Sequence, residues 1–381
     1  MLKDQWNQFM KLLKLAFHVS LIFAVWILVV PGIEARQNNE DPDTIKIGLL
    51  VPYNKSMAAE HGAEMAILKA NEAGGYEGHP FQLVIHSMEG SWGTGSKQAV
   101  DLIFKDHVWA IMGSHDGRNA HLVEQVTVKT NVVFLSSWAS DPTLSKAFVP
   151  WYFNCVPNDL QQAKALTEEI YNKRKISKVG TLSDNDYDSR LALNSFIKVT
   201  KTTGKADPVQ FFYDDSTGNF HILIDQIDKA DISCIVLFEK PAASMKIINE
   251  LRKRKMNLKV FASLSVLGEE KGSVPEMKIY DSVVLVSSGY WLRPQGIDFR
   301  DEYYKKYGNI PGEIAAYAYD GMNVILEAIR NAGLDRDKMQ KSMAKIHYNG
   351  VTGSIQFDDK GNRAGDAMLI EVKNGISIVR D

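Results

Sequence analysis

From Ile45 onward, short apolar runs alternate with segments whose apolar positions recur at helical spacing. The runs IKIGLLV (45–51), FQLVIHS (81–87), VWAIMG (108–113) and VVFLS (132–136) have strand length and few polar positions. Such runs predict parallel strands buried on both faces, because a strand with one wet face alternates apolar and polar residues. The segments between them predict helices. SMAAEHGAEMAILKANEAGG can start at a Ser56 cap and end at Gly74-Gly75, and two more helices fill Lys97–His107 and about Arg118–Lys129. The alternation then begins again. KVGTLS (178–183), PVQFFY (208–213), ISCIVLF (232–238), LKVFAS (258–263) and SVVLVSS (282–288) read as strands, with helices near 189–203, 218–230 and 242–255 between them. Asn158 and Gln161 form a capping-box signature for a further helix at 159–174. The pattern therefore predicts an α/β fold with two units of similar size, each a parallel sheet covered by helices.

FVPWYFNCVPND joins the units; it is extended, bounded by prolines and too apolar for a loose linker. After residue 288 the pattern changes to helices at about 297–307, 313–332 and 335–347, with Gly333 ending the second. GSIQF (353–357), AMLIEVK (367–373) and GISIV (375–379) close the chain as strands, the last two joined through the favoured hairpin turn Asn374-Gly375.

The 381 residues are 45% hydrophobic and 24% charged, enough for two ordinary cores. Net charge is −2 with no basic block, so nucleic acid is not an expected partner; Arg252 to Lys255 reads as a solvated helix end. Lys11 and Lys14 precede the apolar run 15–30, interrupted by His18 and Ser20, and Pro31 to Ala35 follows. This is the layout of a secretory signal peptide (1–35) cut after Ala35, with 36–43 as a polar tether; an uncleaved anchor is the alternative. The mature chain is expected to be soluble and exported. Its two cysteines, Cys155 and Cys234, do not make a disulfide framework and read as buried thiols.

The residues give no enzyme signature. Phosphate-loop, H-E-x-x-H, C-x-x-C and G-x-S-x-G motifs are absent. DNDYDS (184–189) alternates acids as a calcium loop does, but Ser189 and Ser195 stand where Gly and Glu are required. No metal or cofactor is expected. Ser136, Ser137 and Ser140 have no evident base to activate them. The loop they belong to, SSWAS, leaves the carboxyl end of a predicted parallel strand, where open α/β sheets place ligands. Its small residues and hydroxyls can hold a polar group, and Trp138 can cover an apolar one.

Five ordered stretches stand out: IKIGLLVP with HGAEMAILKANEAGGYEGHPFQLV, DLIFKDHVWAIMGS with VVFLSSWASDPTLS, FNCVPNDLQQAKALTEEIYNKRKISKVGTLSDNDYDSRLALNSF, FRDEYYKKYGNIPGEIAAYAYDGMNVILEAIRNAG and VTGSIQFDDKGNRAGDAMLIEVKNG. In this order they resemble the type I periplasmic solute-binding proteins of ABC transporters, in the leucine/isoleucine/valine-binding group. The resemblance covers about residues 44–379. It implies two Rossmann-like lobes with parallel sheets covered by helices, joined by three crossing strands. Lobe 1 would be 44–154 and 289–348; lobe 2 would be 158–285 and 352–381. The crossings would fall near Tyr152–Pro157, Val286–Ser288 and Gly350–Thr352.

The resemblance also implies a ligand pocket. Ser114, His115, Asp116, Gly117 and Arg118 would follow one strand, and Ser137, Trp138, Ala139 and Ser140, the carboxylate hook, another. Tyr187, Glu239, Lys240, Ser265 and Trp92 complete the set. The family's acid for a ligand ammonium would fall near Ser265, where no acid stands; Asp116 and Glu239 are the substitutes. The function implied is a periplasmic protein, not an enzyme, that captures an amino acid, an amide or a small carboxylate and delivers it to ABC permease subunits. Membrane contact would come only through the permease or an uncleaved N-terminus. The alternatives are a ligand-sensing module of a receptor and, less favoured, an enzyme built on His115, Asp116 and Arg118.

Overall fold

The computed structural model describes residues 44–146, 149–214, 220–268 and 277–380. The expected signal peptide and tether lie outside the described residues. Ile45–Val51 (β1), Phe81–Ser87 (β2), Ala110–Gly113 (β3), Val133–Ser136 (β4) and Tyr152–Asn154 (β5) form one sheet in the order β2-β1-β3-β4-β5, all pairs parallel. Val179–Ser183 (β6), Val209–Phe212 (β7), Cys234–Leu237 (β8), Lys259–Ala262 (β9) and Val283–Val286 (β10) belong to a second sheet. Tyr348–Gly350 (β11) and Gly353–Ile355 (β12) form a separate hairpin. Leu369–Lys373 (β13) and Ile376–Arg380 (β14) return to the second sheet, whose order is β14-β13-β10-β9-β8-β6-β7. β6 to β10 pair in parallel; β13 runs antiparallel to β10, and β14 antiparallel to β13. Asn374 and Gly375 both take positive φ between β13 and β14, as the hairpin reading requires.

The helices are Met57–Glu72 (α1), Thr94–Phe104 (α2), Gly117–Thr130 (α3), Asp159–Thr167 (α4), Tyr187–Thr202 (α5), Phe220–Lys229 (α6), Pro241–Lys253 (α7), Pro294–Tyr307 (α8), Glu313–Ala332 (α9) and Arg336–Met343 (α10). The Asn158–Gln161 capping box is formed, and α4 continues as a π-helical segment, Glu168–Lys173. Ser56 precedes α1 but makes no side-chain cap, and the second predicted helix begins and ends three residues earlier than its apolar spacing suggests. The apolar runs of the central strands are buried as expected: Ile45, Ile47 and Leu49 in β1 and Cys234 to Leu237 in β8 have no exposed surface, whereas β2 and β7, at the sheet edges, are open to solvent on one face, with Ile85, Val209 and Phe212 exposed. Each buried aliphatic side chain contributes about 1.5–3 kcal/mol by leaving water. Cys155 and Cys234 are buried thiols.

α9 packs against α1 at very close range. A Cβ on Gly62 would lie 2.2 Å from the Ala315 carbonyl oxygen, so only glycine permits the approach. α9 also carries two buried carboxylates, two helical turns apart, that fix segments where the chain passes between the sheets. Glu313 accepts from Ser288 N–H at 2.9 Å and from the Ser287 hydroxyl. Asp320 accepts from Val351 N–H at 2.9 Å and Thr352 N–H at 2.7 Å. Arg363 ties a third segment to these by donating to the carbonyls of Cys155 at 2.8 Å and Thr352 at 2.9 Å.

Candidate functional site

A cavity of about 410 Å³ opens between the two sheets at the carboxyl ends of their strands. Tyr53 follows β1, Trp138 and Ser140 follow β4, Asp186 follows β6, Phe238 and Lys240 follow β8, and Ser263, Ser265 and Gly268 follow β9; all line it. Asp159 and Gln162 reach it from the start of α4, Asp188 from α5 and Met245 from α7. Parallel topology brings these loops together, because every β-α connection in a right-handed sheet leaves from the same edge. The size lies within the range of small-molecule sites.

Of the expected residues, Trp138, Ser140, Lys240 and Ser265 share this cavity. Trp138 reaches across to the second-sheet side, since a Cβ on Gly268 would stand 2.7 Å from its Cζ2. The residues alternating with Trp138 and Ser140 turn inward. Ser137 is buried and its hydroxyl donates to the Gly113 carbonyl at 3.2 Å; the Ala139 N–H donates to Ser136 Oγ at 3.0 Å. The hydroxyl of Ser265 donates to the Glu239 carbonyl at 3.1 Å and meets Ser263 Oγ at 2.7 Å. Lys240 pairs with Asp186 at 3.2 Å.

The loop after β3 does not line the cavity. His115 is buried, packs against Phe134, and is held neutral because burial lowers its pKa. Asp116 is spent as the cap of α3, accepting from the N–H of Asn119 at 2.9 Å and from its amide at 2.8 Å. Trp92 lies 69% exposed with the Arg118 guanidinium over its ring, and Arg118 also stands over Tyr187. Gly117, instead of touching the cavity, bridges its two sides: its N–H donates to Asp188 Oδ1 at 3.0 Å. Tyr187 bridges them too, donating from its hydroxyl to Asp141 Oδ2 at 3.1 Å. A Cβ on Gly117 would come 2.7 Å from that of Asp141, which is why glycine begins α3. Asp141 is anchored by His121 at 3.0 Å and by the Thr143 N–H and hydroxyl at 2.7 Å each.

The charges respond to these surroundings. Burial, with Asp116 nearby, pushes Asp188 up to about 7. Burial raises Asp159 well above the ordinary carboxylate range, although the Ser140 hydroxyl bonds it. Glu239 is fully buried with neither carboxylate oxygen hydrogen-bonded, and burial, then Asp184, raises it likewise. Hydrogen bonds that His121 donates to Asp141 and Glu124 lift it to about 9. Burial alone would raise Asp141, but the bonds from His121 and Thr143 outweigh it and hold that carboxyl low.

Sequence reasoning missed Tyr53, Asp159, Asp188 and Phe238 as lining residues. Asp159 carries the ordinary signature of an acid in the first helical turn. Asp188 lies in DNDYDS, whose alternating acids suggest only an incomplete calcium loop.

The sequence profile described as periplasmic binding protein matches residues 44–375. The leucine-, isoleucine-, valine-, threonine- and alanine-binding protein of Pseudomonas aeruginosa is 20% identical over 329 residues, covering 84% of this chain and 87% of that one. Glutamate receptor 3.1 of rice is 25% identical over 184 residues; the match spans 46% of this chain but only 19% of the receptor. Among solved structures, a solute-binding protein of an ABC transporter from Rhodopseudomonas palustris, in complex with 3,4-dihydroxybenzoic acid, superimposes with a TM-score of 0.76 at 20% identity, covering 89% of this chain and 97% of that one. The matched family consists of substrate-binding proteins rather than enzymes. The chain belongs to the periplasmic binding protein family, and it has the fold of that family's solved members.

Proposed function

We propose that this protein is an extracytoplasmic solute receptor that closes two lobes, 44–154 with 289–348 and 158–285 with 352–381, on a small polar ligand and presents it to the permease of an ABC importer. The observation that carries this reading is the cavity itself, lined by strand-end loops of both sheets and bridged by Gly117–Asp188 and Tyr187–Asp141. Contacts that join the two sides of a cleft are what a ligand that binds both sides would reinforce. The segments fixed by Glu313, Asp320 and Arg363 are then the hinge. The Pseudomonas relative's amino acids and the Rhodopseudomonas protein's aromatic acid support a small polar ligand as the class. Within the site, Trp138 covers the ligand and Ser140, Lys240 and Ser265 border it.

A thermal-shift screen of the purified protein against amino acids, amides, amines, aromatic acids and small carboxylates tests the reading. A ligand at 100 times its Kd stabilises the native state by about 2.7 kcal/mol. A concentration-dependent rise in Tm within one class supports it; silence in every class overturns it. The partial match to the rice receptor favours a second reading, a sensing module in place of a transport component. Co-purification with permease subunits decides for transport; association with a signalling protein decides for sensing.

A further inference from the structure

The charge lining the cavity has a consequence for the ligand class, given the solute-binding reading above. Three carboxyl groups, Asp159, Asp186 and Asp188, face one ammonium, that of Lys240. Lys240 is paired with Asp186. Asp159 is only 3% exposed, and the Ser140 hydroxyl is its side-chain partner. Asp188 receives the Gly117 N–H. Among the described residues, no Lys, Arg or His stands within ion-pair distance of either. Behind them Glu239, set between the lining residues Phe238 and Lys240, is fully buried with both carboxylate oxygens unpartnered. Several groups that could receive an anion are committed elsewhere. The Ser137 hydroxyl binds the Gly113 carbonyl. The Gln162 amide donates to the Pro157 carbonyl and accepts from Leu264 N–H, both at 2.9 Å. Arg118 lies over the rings of Trp92 and Tyr187, outside the lining.

We propose that the cavity takes a ligand with a positively charged amine and an apolar or aromatic body, bearing no carboxylate, with Asp159 and Asp188 as the countercharges and Trp138 covering the body. The aromatic lining fits this class, because a cation is attracted to the faces of Trp, Tyr and Phe rings as well as to carboxylates. An anionic or zwitterionic ligand would bring its carboxylate against unpaired acids, with no free cation to receive it. Burial raises both carboxyls, Asp188 to about 7, so a bound amine favours their ionised forms and proton release.

Calorimetry on the purified full-length protein tests this with two body-matched series: isopentylamine, leucine and 4-methylpentanoate; and 2-phenylethylamine, phenylalanine and 3-phenylpropionate. The expected result is that at least one amine binds at least tenfold more tightly than its amino acid and its acid. Its affinity should rise between pH 5 and pH 7, with protons released into the buffer. Asp159→Asn should cut amine affinity at least tenfold; Asp188→Asn, read the same way, serves if the first variant does not fold. Preference for an amino acid or an acid, or affinity that falls over that pH range, overturns the charge assignment and leaves the solute-binding reading standing. Silence from all six, together with silence from the wider screen, overturns both.

Discussion

Tyr187→Phe isolates the contact across the cleft. The variant keeps the ring beneath the Arg118 guanidinium and deletes only the hydroxyl that donates to Asp141 Oδ2 at 3.1 Å. Deleting a donor to a charged acceptor can cost about 1.5–3 kcal/mol when the acceptor is left bare. Asp141 is not left bare, because His121 and Thr143 still bond it. The expected loss is therefore that of an ordinary hydrogen bond, about 1 kcal/mol, or roughly a fivefold shift toward the open form. Its effect on stability should be small, since the ring and every buried apolar contact it makes are kept. Single-molecule energy transfer between dyes on the two sheets, without ligand, reads the closed fraction directly. Apparent affinity should weaken by up to the same factor when the closed form is the minor species. A closed-to-open ratio unchanged within twofold, in a variant that folds normally, would refute the idea that this bond holds the cleft shut.

Three further outcomes follow from other parts of the molecule. Asp320→Ala orphans the buried N–H groups of Val351 and Thr352 and should destabilise the fold by about 3–5 kcal/mol, measured by urea unfolding, because the buried carboxylate that accepts both is lost. Trp138→Ala should weaken ligand binding at least tenfold, read by calorimetry, with Tm changed by only a few degrees, since the ring is partly exposed at the cavity. His121 gives a pH signature. Its pKa is raised to about 9 by Asp141 and Glu124, so its contribution to stability is complete below about pH 6.5 and is lost as pH rises through about 9. His121→Gln should flatten the fall in Tm over that window.

The alternation of apolar runs made both sheets legible before any coordinates, because a strand buried on two faces cannot hide polar residues. The Asn158–Gln161 box and the Asn374-Gly375 turn were legible because each needs only neighbours in sequence. Tyr152–Asn154 read as a connector, since three residues between prolines carry no periodicity; pairing with β4 makes them a strand. In the SSWAS loop, composition marked a site but not its parity: Trp138 and Ser140 face the cavity while Ser137 and Ala139 are turned inward. Gly117 and Asp188 stand 71 positions apart, and only the crossing of the chain between sheets brings them within hydrogen-bond range. Asp159 was hidden by its own helix, where an acid is ordinary.

Glu313 and Asp320, both on α9, hold the segments between the sheets, and neither touches the cavity. The anchorage of these segments therefore draws on residues outside the lining, even though Asp188 serves both the lining and the bridge to Gly117. Under the proposed function, mutational drift in the lining can exchange one ligand for another without disturbing the α9 anchorage. The same separation makes the protein a workable frame for a biosensor: lining substitutions would set what is detected, and a fluorophore reporting on the α9 anchorage would respond in the same way to each.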